Sequence, residues 1–479
     1  MLEQKDRVPG RRVAAVGAGW ALAVCFSVTS ADAGGLYFSD RGVRPMGRGG
    51  AFVAGADDLG AVWYNPAGIA DAGSAILIDG TWLRFSLDYT REMLVIDADK
   101  TYRRVRSPTV SGSTPILPLP TIVGSYAFGK KKEWTIAGGV LAPYMLLASY
   151  PVVVDGQPSP ARYTLGSFNG SAIAMPGAWI SYKPIEQVRV GLGVLALVGY
   201  FQSTVSFSAS PQDRLIGAPE QPEFDADAQM RVGPIIAPSV TGGVTVVPFK
   251  SVRIGVSGNL PMVISAPANF TVRMPSDVVF DTSRQNGTNA HVRFVLPAVF
   301  RVGIEVRPIE KLRIEAAYVR EFWEAHRTID ATPQGMTIDG ITGLPPQVKI
   351  PPIQIPRSFE SSNSFRLGAE VRLAVGKYPV DLRFGGLYEK SAIPPAYLSL
   401  SSLDFDKVIL SVGGSIHLGA WRLDALFSQM FLSSVYVDPR DAKIGRINPI
   451  NGNAPFESVN GGNYSANANL IGFGMNYRY

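Results

Sequence analysis

Between residues 290 and 307 the chain alternates strictly. Val292, Phe294, Leu296, Ala298, Phe300, Val302, Ile304 and Val306 fall on one face, and His291, Arg293, Arg301, Glu305 and Arg307 on the other. A period of two predicts a β-strand with one apolar and one polar side. At about eighteen residues it is far longer than the usual globular strand of roughly 5–6, and it suits a strand that crosses a bilayer at a tilt and continues past it. The same alternation recurs at 365–375, where Leu367, Ala369, Val371 and Leu373 oppose Arg366, Glu370 and Arg372. It returns at 408–418, with Ser411, Ser415 and His417 on the polar side, and at 75–89, where Leu83, Phe85, Leu87 and Tyr89 oppose Arg84, Ser86 and Asp88.

The connections carry a second regularity. Tyr182-Lys183-Pro184-Ile185-Glu186-Gln187-Val188 recurs in kind as Val306-Arg307-Pro308-Ile309-Glu310-Lys311-Leu312, with shorter versions at 247–254, 375–380 and 417–421. Each joins two alternating segments through a few turn-forming residues, as a tight hairpin does. Between these hairpins lie longer polar connections, near 91–116, 148–169, 208–226, 275–288, 327–357, 391–404 and 437–462. Short and long connections in alternation place all tight turns at one end and all long loops at the other, which predicts an outer-membrane barrel. Fourteen strands are expected, near 75–89, 118–129, 133–147, 171–183, 188–206, 228–248, 251–273, 289–307, 311–326, 358–375, 378–390, 405–418, 421–436 and 464–479. The last sets Ile471, Phe473, Met475, Tyr477 and Tyr479 against Gly472, Gly474, Asn476 and Arg478, and must pair with the first to remove both edges.

Composition sharpens this picture. Charged residues make up only 18% of the 479 and glycine reaches 50. The mean hydropathy of +0.12 is too low for a bundle of membrane helices and fits a wall with one greasy and one wet face. Lys5, Arg7, Arg11 and Arg12, then the apolar 13–28, then Ala31-Asp32-Ala33 read as a cleavable export signal over 1–33. The single cysteine, Cys25, leaves with it, so the mature chain offers no disulfide, thiol nucleophile or cysteine metal site. The net charge of +6 is dispersed, without the basic stripe that a nucleic acid requires. Three histidines without ligand spacing argue against a metal, and no cofactor is expected. Ser415 and His417 share a strand face, which raises a barrel lipase. No acidic partner can be placed beside them from the sequence, and an ordinary wet lumen surface is the plainer reading.

The stretch 35–73 does not alternate. Glycines every few residues, with charges scattered among Ala, Val and Leu, suggest a compact irregular plug. Pro66 holds Asn65 out of the helical region and Gly68 permits a sharp turn. The ordered series Met46-Gly47-Arg48, Ala56-Asp57-Asp58 and Trp63-Tyr64-Asn65-Pro66-Ala67-Gly68, just after an export signal, resembles the hatch signature of the FadL/OmpP1/TodX family. These are outer-membrane transporters of long-chain fatty acids and aromatic hydrocarbons.

That resemblance implies a fourteen-stranded barrel over 74–479, plugged by a hatch over 34–73, in the outer membrane of a Gram-negative cell. It implies passive uptake of hydrophobic small molecules, with no catalysis. It places Leu36, Tyr37 and Phe38 in a substrate pocket, and a kink at Gly138, Gly139 and Pro143 that opens the wall sideways to the bilayer. The interior charges on strands 8 to 11 read as a cross-strand ladder, from which Arg301 or Arg313 is a candidate to hold a substrate carboxylate. The other partners expected are outer-membrane lipid and lipopolysaccharide, and the assembly machinery acting on strand 464–479 of a monomer. The rival readings are a general porin, which needs an open wet lumen, and the barrel lipase.

Overall fold

The computed structural model describes residues 40–479, apart from 114–117, 143–148, 166–170, 212–219 and 452–455. The expected export signal and Leu36, Tyr37, Phe38 and Pro143 therefore lie outside the described residues. Fourteen antiparallel strands form one closed barrel. They are β1 Ala75–Ile96, β2 Pro118–Phe128, β3 Trp134–Leu141, β4 Ala172–Ile185, β5 Val188–Ser208 and β6 Asp225–Phe249. Next come β7, in two runs Val252–Asn259 and Met262–Arg273, and β8, in two runs Asn289–Leu296 and Val299–Ile309. The remainder are β9 Leu312–Glu321, β10 Ser362–Val375, β11 Tyr378–Glu389, β12 Lys407–Leu418, β13 Trp421–Leu432 and β14 Gly462–Arg478. Strand β14 pairs with β1 without interruption, from Ala75↔Arg478 to Arg91↔Gly462, so neither terminal strand keeps a free edge.

On β12, β13 and the turn-side half of β14 the apolar face of the alternation points outward. In the loop-side half of β1 it points inward, with Leu83, Phe85, Leu87 and Tyr89 buried, and within 290–307 the pleat changes phase, so Val292 faces inward and Phe300 and Ile304 outward. Leu410, Val412, Phe427, Phe431 and Phe473 are each about half exposed, and their inward neighbours Ser411, Ser428 and Leu470 are buried. A continuous apolar belt of this kind is stable only against hydrocarbon. At the end with the tight turns, Trp134 stacks on Tyr182 at 4.0 Å and Trp421 meets Tyr477 at 4.5 Å, an aromatic girdle at one rim.

Two connections differ from expectation. Of the expected polar loop 91–116, residues 91–113 form a hairpin instead. Strand β1 runs on to Ile96 and returns through Tyr102–Ser113, paired from Ile96↔Tyr102 down to Ser86↔Ser113. Near its base one face is buried, with Tyr89 and Val110 in an apolar cluster, but most of Tyr102–Ser113 is exposed, so no apolar alternation marks it in the sequence. Residues 327–357 contain four short strands. Thr328–Pro333 pairs with the upper run of β8, and Thr337–Asp339 joins Arg284–Asn286 and Gln347–Lys349 in a small separate sheet. The long connections thus fold over the barrel mouth.

Residues 40–73 fill the lumen. Short helices Val43–Gly47, Ala61–Tyr64 and Ile69–Ala72, with the 3₁₀ turn Pro66–Gly68, leave almost every side chain buried. The strands supply glycines where this inner backbone presses on the wall. A Cβ on Gly385 would overlap the carbonyl of Arg48, and one on Gly191 would overlap that of Pro66.

Candidate functional site

The inner segment is fastened to the wall by buried charge. The Glu315 carboxylate, fully buried on β9, accepts the consecutive backbone N–H groups of Val53, Ala54 and Gly55 at 2.6, 2.9 and 2.9 Å. Arg48 donates to the same carboxylate at 3.1 Å and to Glu305 at 2.9 Å. Three successive amides converging on one carboxylate form an anion nest, here with the anion supplied by the barrel.

A second cluster lies toward the tight turns. Arg44 meets Asp57 at 2.6 Å, Asp58 at 3.1 Å and Glu370 at 2.8 Å, and Arg422 holds Asp58 at 2.7 Å. Burial alone would raise the Asp57 carboxyl, and Glu370 adds to that. Arg313, Arg44 and Arg253 outweigh both and hold it well below the usual carboxylate range. Asp58 is likewise raised by burial and by Asp57, yet lowered on balance by Arg422 and Arg44. A polar cavity of about 390 Å³ opens beside this cluster, lined by Arg44, Arg313, Glu370, Arg372 and Lys311 among others.

The motif residues act as fasteners as well. Asn65 caps the Pro66–Gly68 turn by accepting the Ala67 N–H at 3.1 Å, and its amide donates to the Val53 carbonyl at 2.8 Å and the Thr245 hydroxyl at 3.0 Å. The Tyr64 hydroxyl donates to Asp40 at 3.0 Å. Ala67 offers its carbonyl to Ser181 on β4 at 2.9 Å. Trp63 is buried in the apolar cluster above, with the Arg301 guanidinium 5.6 Å from its ring.

Beside this apolar cluster, and sharing Leu197, Phe201 and Ile235 with it, lies an apolar cavity of about 550 Å³, within the range of ligand pockets. Phe201, Phe270, Phe294, Leu296, Trp323 and Ile353 line it. Polar groups break this surface, among them His326, Arg357, Lys443 and Arg446, the last paired with Glu457. His326 passes a hydrogen bond between Nδ1 and the Val295 carbonyl at 2.7 Å, and burial, reinforced by the Arg357 cation, pushes its imidazole down to about 4. Arg357, in the connection before β10, is 7% exposed and donates to the Ser402 hydroxyl. Among the described residues its Nε has no partner and no carboxylate lies within ion-pair distance. Burial pushes this guanidinium down to about 10, so it remains charged at neutral pH.

The two arginines singled out from the sequence stand elsewhere. Arg313 is committed to the inner segment, with Asp57 at 2.8 Å, Glu305 at 2.9 Å and Glu370 at 3.2 Å, and it lines the polar cavity rather than the apolar one. Arg301 is buried against Asn259 at 3.1 Å, beside Trp63. The interior charges on strands 8 to 11 do pair across the wall, but much of their bonding goes to residues 44–58. Gly138 and Gly139 sit in β3 with regular partners on both sides, Gly124 and Val123 on β2 and Ala178 and Gly177 on β4. An acid does stand beside His417: Asp381, at 2.7 Å. The Ser415 hydroxyl donates to Asp424 instead, so the two residues serve separate carboxylates. Arg357 went unnoticed in the sequence because it sits in a proline-rich connection, and Glu315 was read only as one of the interior charges on strands 8 to 11.

A closed wall and a buried, charge-fastened inner segment beneath an apolar chamber are joined by one further finding. Residues 24–479 match the family described as outer membrane protein transport protein (OMPP1/FadL/TodX). The chain belongs to this family. Its members are outer-membrane transporters of hydrophobic compounds. Solved structures agree in fold. A FadL homologue of Pseudomonas aeruginosa aligns with a TM-score of 0.67 at 13% identity, covering 93% of this chain and 99% of that one. The toluene transporter TbuX of Ralstonia pickettii gives 0.58 at 14%, covering 92% and 99%. The toluene transporter TodX of P. putida gives 0.56 at 12%, also covering 92% and 99%. At such identities these likenesses establish the FadL-type barrel alone. A search of curated sequences finds no match.

Proposed function

We propose that this FadL-family barrel takes up hydrophobic carboxylic acids, of which long-chain fatty acids are the type, by passive diffusion through the apolar cavity. The observation that carries the reading is Arg357, a buried cation facing an apolar chamber whose side-chain partner among the described residues is a hydroxyl. A buried charge without a counter-ion is costly, and a ligand carboxylate removes that cost while its tail fills the chamber. A neutral aromatic hydrocarbon would leave the guanidinium uncompensated. Residues 40–73 act as the hatch that denies water a continuous lumen, which disfavours a general porin. In this reading the long connections face outward, the tight turns face the periplasm, and no chemistry is performed on the cargo.

The test is uptake of radiolabelled oleate and of naphthalene by a Gram-negative host lacking its own fatty-acid transporter. A hydrogen bond to a charged group contributes about 1.5–3 kcal/mol, roughly a 10- to 100-fold effect on affinity. Arg357→Met therefore lowers oleate uptake at limiting concentration by at least about tenfold and spares naphthalene, while Arg357→Lys restores part of it. Equal loss for both compounds, or for neither, would overturn the carboxylate assignment.

A further inference from the structure

The wall is not laddered all the way round. Strands β6 and β7 pair from Asp227↔Arg273 to Val232↔Ala268 and again from Thr241↔Asn259 to Val252↔Phe249. Between these two runs, eight residues on each strand have no register partners across the seam. The interruption has a geometric cause. Along β6 the inward residues are even-numbered up to Val232 and odd-numbered from Ile235, so the pleat changes phase at Gly233-Pro234. Along β7 the inward residues are odd up to Ser257 and even from Met262, so the change falls at Leu260-Pro261, near the other end of the seam. Within the seam, the residue opposite inward-facing Ala237 is outward-facing Val263. Directly opposed residues in an antiparallel ladder must share a face, so pairing cannot continue.

Each lip is held from behind. Strand β6 pairs with β5 from Gly199↔Ile235 to Gly193↔Thr241, and β7 pairs with β8 from Met262↔Leu296 to Asn269↔Asn289. The turn-side end is fixed by the Leu260 N–H donating to the Val240 carbonyl at 2.9 Å and by the Ser239 hydroxyl donating to the Leu260 carbonyl at 2.6 Å. Pro234, Pro238, Pro261 and Pro267 carry no N–H, so the stretch leaves fewer donors for hydrocarbon to strand.

Both faces of the seam are mostly apolar, with Ser265 outside and Ser239 inside as the exceptions. Outside, Ile236, Leu260 and Val263 are 74%, 58% and 45% exposed to the lipid side. Inside, Ile235, Ala237, Met262 and Ile264 belong to the cluster that includes Trp63, and Ile235 also lines the cavity. We propose that cargo passes from the cavity into the outer-membrane hydrocarbon between β6 and β7. The lips part there without breaking a ladder, and an apolar molecule meets mostly apolar surface on the way. This inference rests on the transport reading above.

The mature chain contains no cysteine of its own, which allows a direct test. Ile236→Cys with Val263→Cys, and separately Pro238→Cys with Val263→Cys, are bridged across the seam by a short bis-methanethiosulfonate linker and later released with dithiothreitol. The pair Val246→Cys with Ile254→Cys, on outward register partners where β6 and β7 are laddered, is the control. Delivery of radiolabelled oleate by the host cells is expected to fall at least tenfold when either seam pair is bridged, to recover on reduction, and to be unaffected by the control bridge. Unchanged delivery through a fully bridged seam, with the reduced form active, would overturn the seam and leave the transport reading standing. Failure of the unsubstituted protein to deliver oleate or naphthalene would overturn both.

Discussion

Replacing Glu315 by alanine should release the hatch while leaving the barrel intact. The wild-type carboxylate satisfies three consecutive hatch amides and one arginine, all in a site from which water is excluded. Removing one partner of a buried charged pair costs about 3–5 kcal/mol, because the other is left uncompensated. The lower end applies here, since Arg48 keeps Glu305 at 2.9 Å. At about 1.4 kcal/mol per tenfold, 3 kcal/mol corresponds to roughly a hundredfold change in a local opening equilibrium. The assay is hydrogen exchange on the detergent-purified protein, comparing the amides of 51–56 with those of β12 and β13. Protection at 51–56 should drop by about two orders of magnitude, with the strand amides unchanged and the protein still running as a folded barrel on unheated gels. Glu315→Gln should fall between, since its carbonyl oxygen still accepts while its NH₂ faces other donors. Protection within about twofold of wild type in Glu315→Ala would refute the reasoning. It would mean that shape packing alone seats the hatch.

Two further outcomes follow from the same contacts. Gly385→Val places a branched side chain where the Arg48 backbone now lies. The hatch should lose protection as in Glu315→Ala, whereas Gly124→Val, on β2 with ordinary strand backbone and no neighbour near the added carbon, should leave hatch protection unchanged in the same exchange experiment. Asp57 and Asp58 have folded values below their unfolded value of about 4. Their contribution to seating is therefore complete above that pH and is lost only as pH falls through the depressed values. Hatch protection, corrected for intrinsic exchange, should be the same at pH 7 and pH 5 and decline below about pH 4. Release of the hatch between pH 7 and pH 5 would contradict the assignment of Arg313, Arg44 and Arg422 as their partners.

Much of this molecule was legible in one dimension. A strand wall between hydrocarbon and a wet lumen must alternate, so residues 408–418 announced their faces before any contact was known. The single apolar face expected over 290–307 does not hold, because the pleat changes phase between Leu296 and Val299 and turns Val292 inward and Phe300 and Ile304 outward. Tight turns of repeating composition set the antiparallel order, and the alternation at 464–479 announced a closing strand. The irregular, glycine-rich character of 40–73 was visible, and so was the turn at Asn65-Pro66-Ala67. Partner choice was not legible. Arg313 and Arg357 are both arginines near strand ends. One is surrounded by Asp57, Glu305 and Glu370 and the other by apolar side chains, because residues far apart in sequence are brought beside them by the closed wall. Likewise, two phase changes in the pleat, one on β6 and one on β7, are each an innocuous glycine–proline or leucine–proline step in the sequence. Only when the strands lie side by side do their different heights leave a stretch that cannot pair. Local alternation is a property of one strand against its solvent, and the sequence determines it. Ion partners and register are properties of neighbours, and only the tertiary structure decides them.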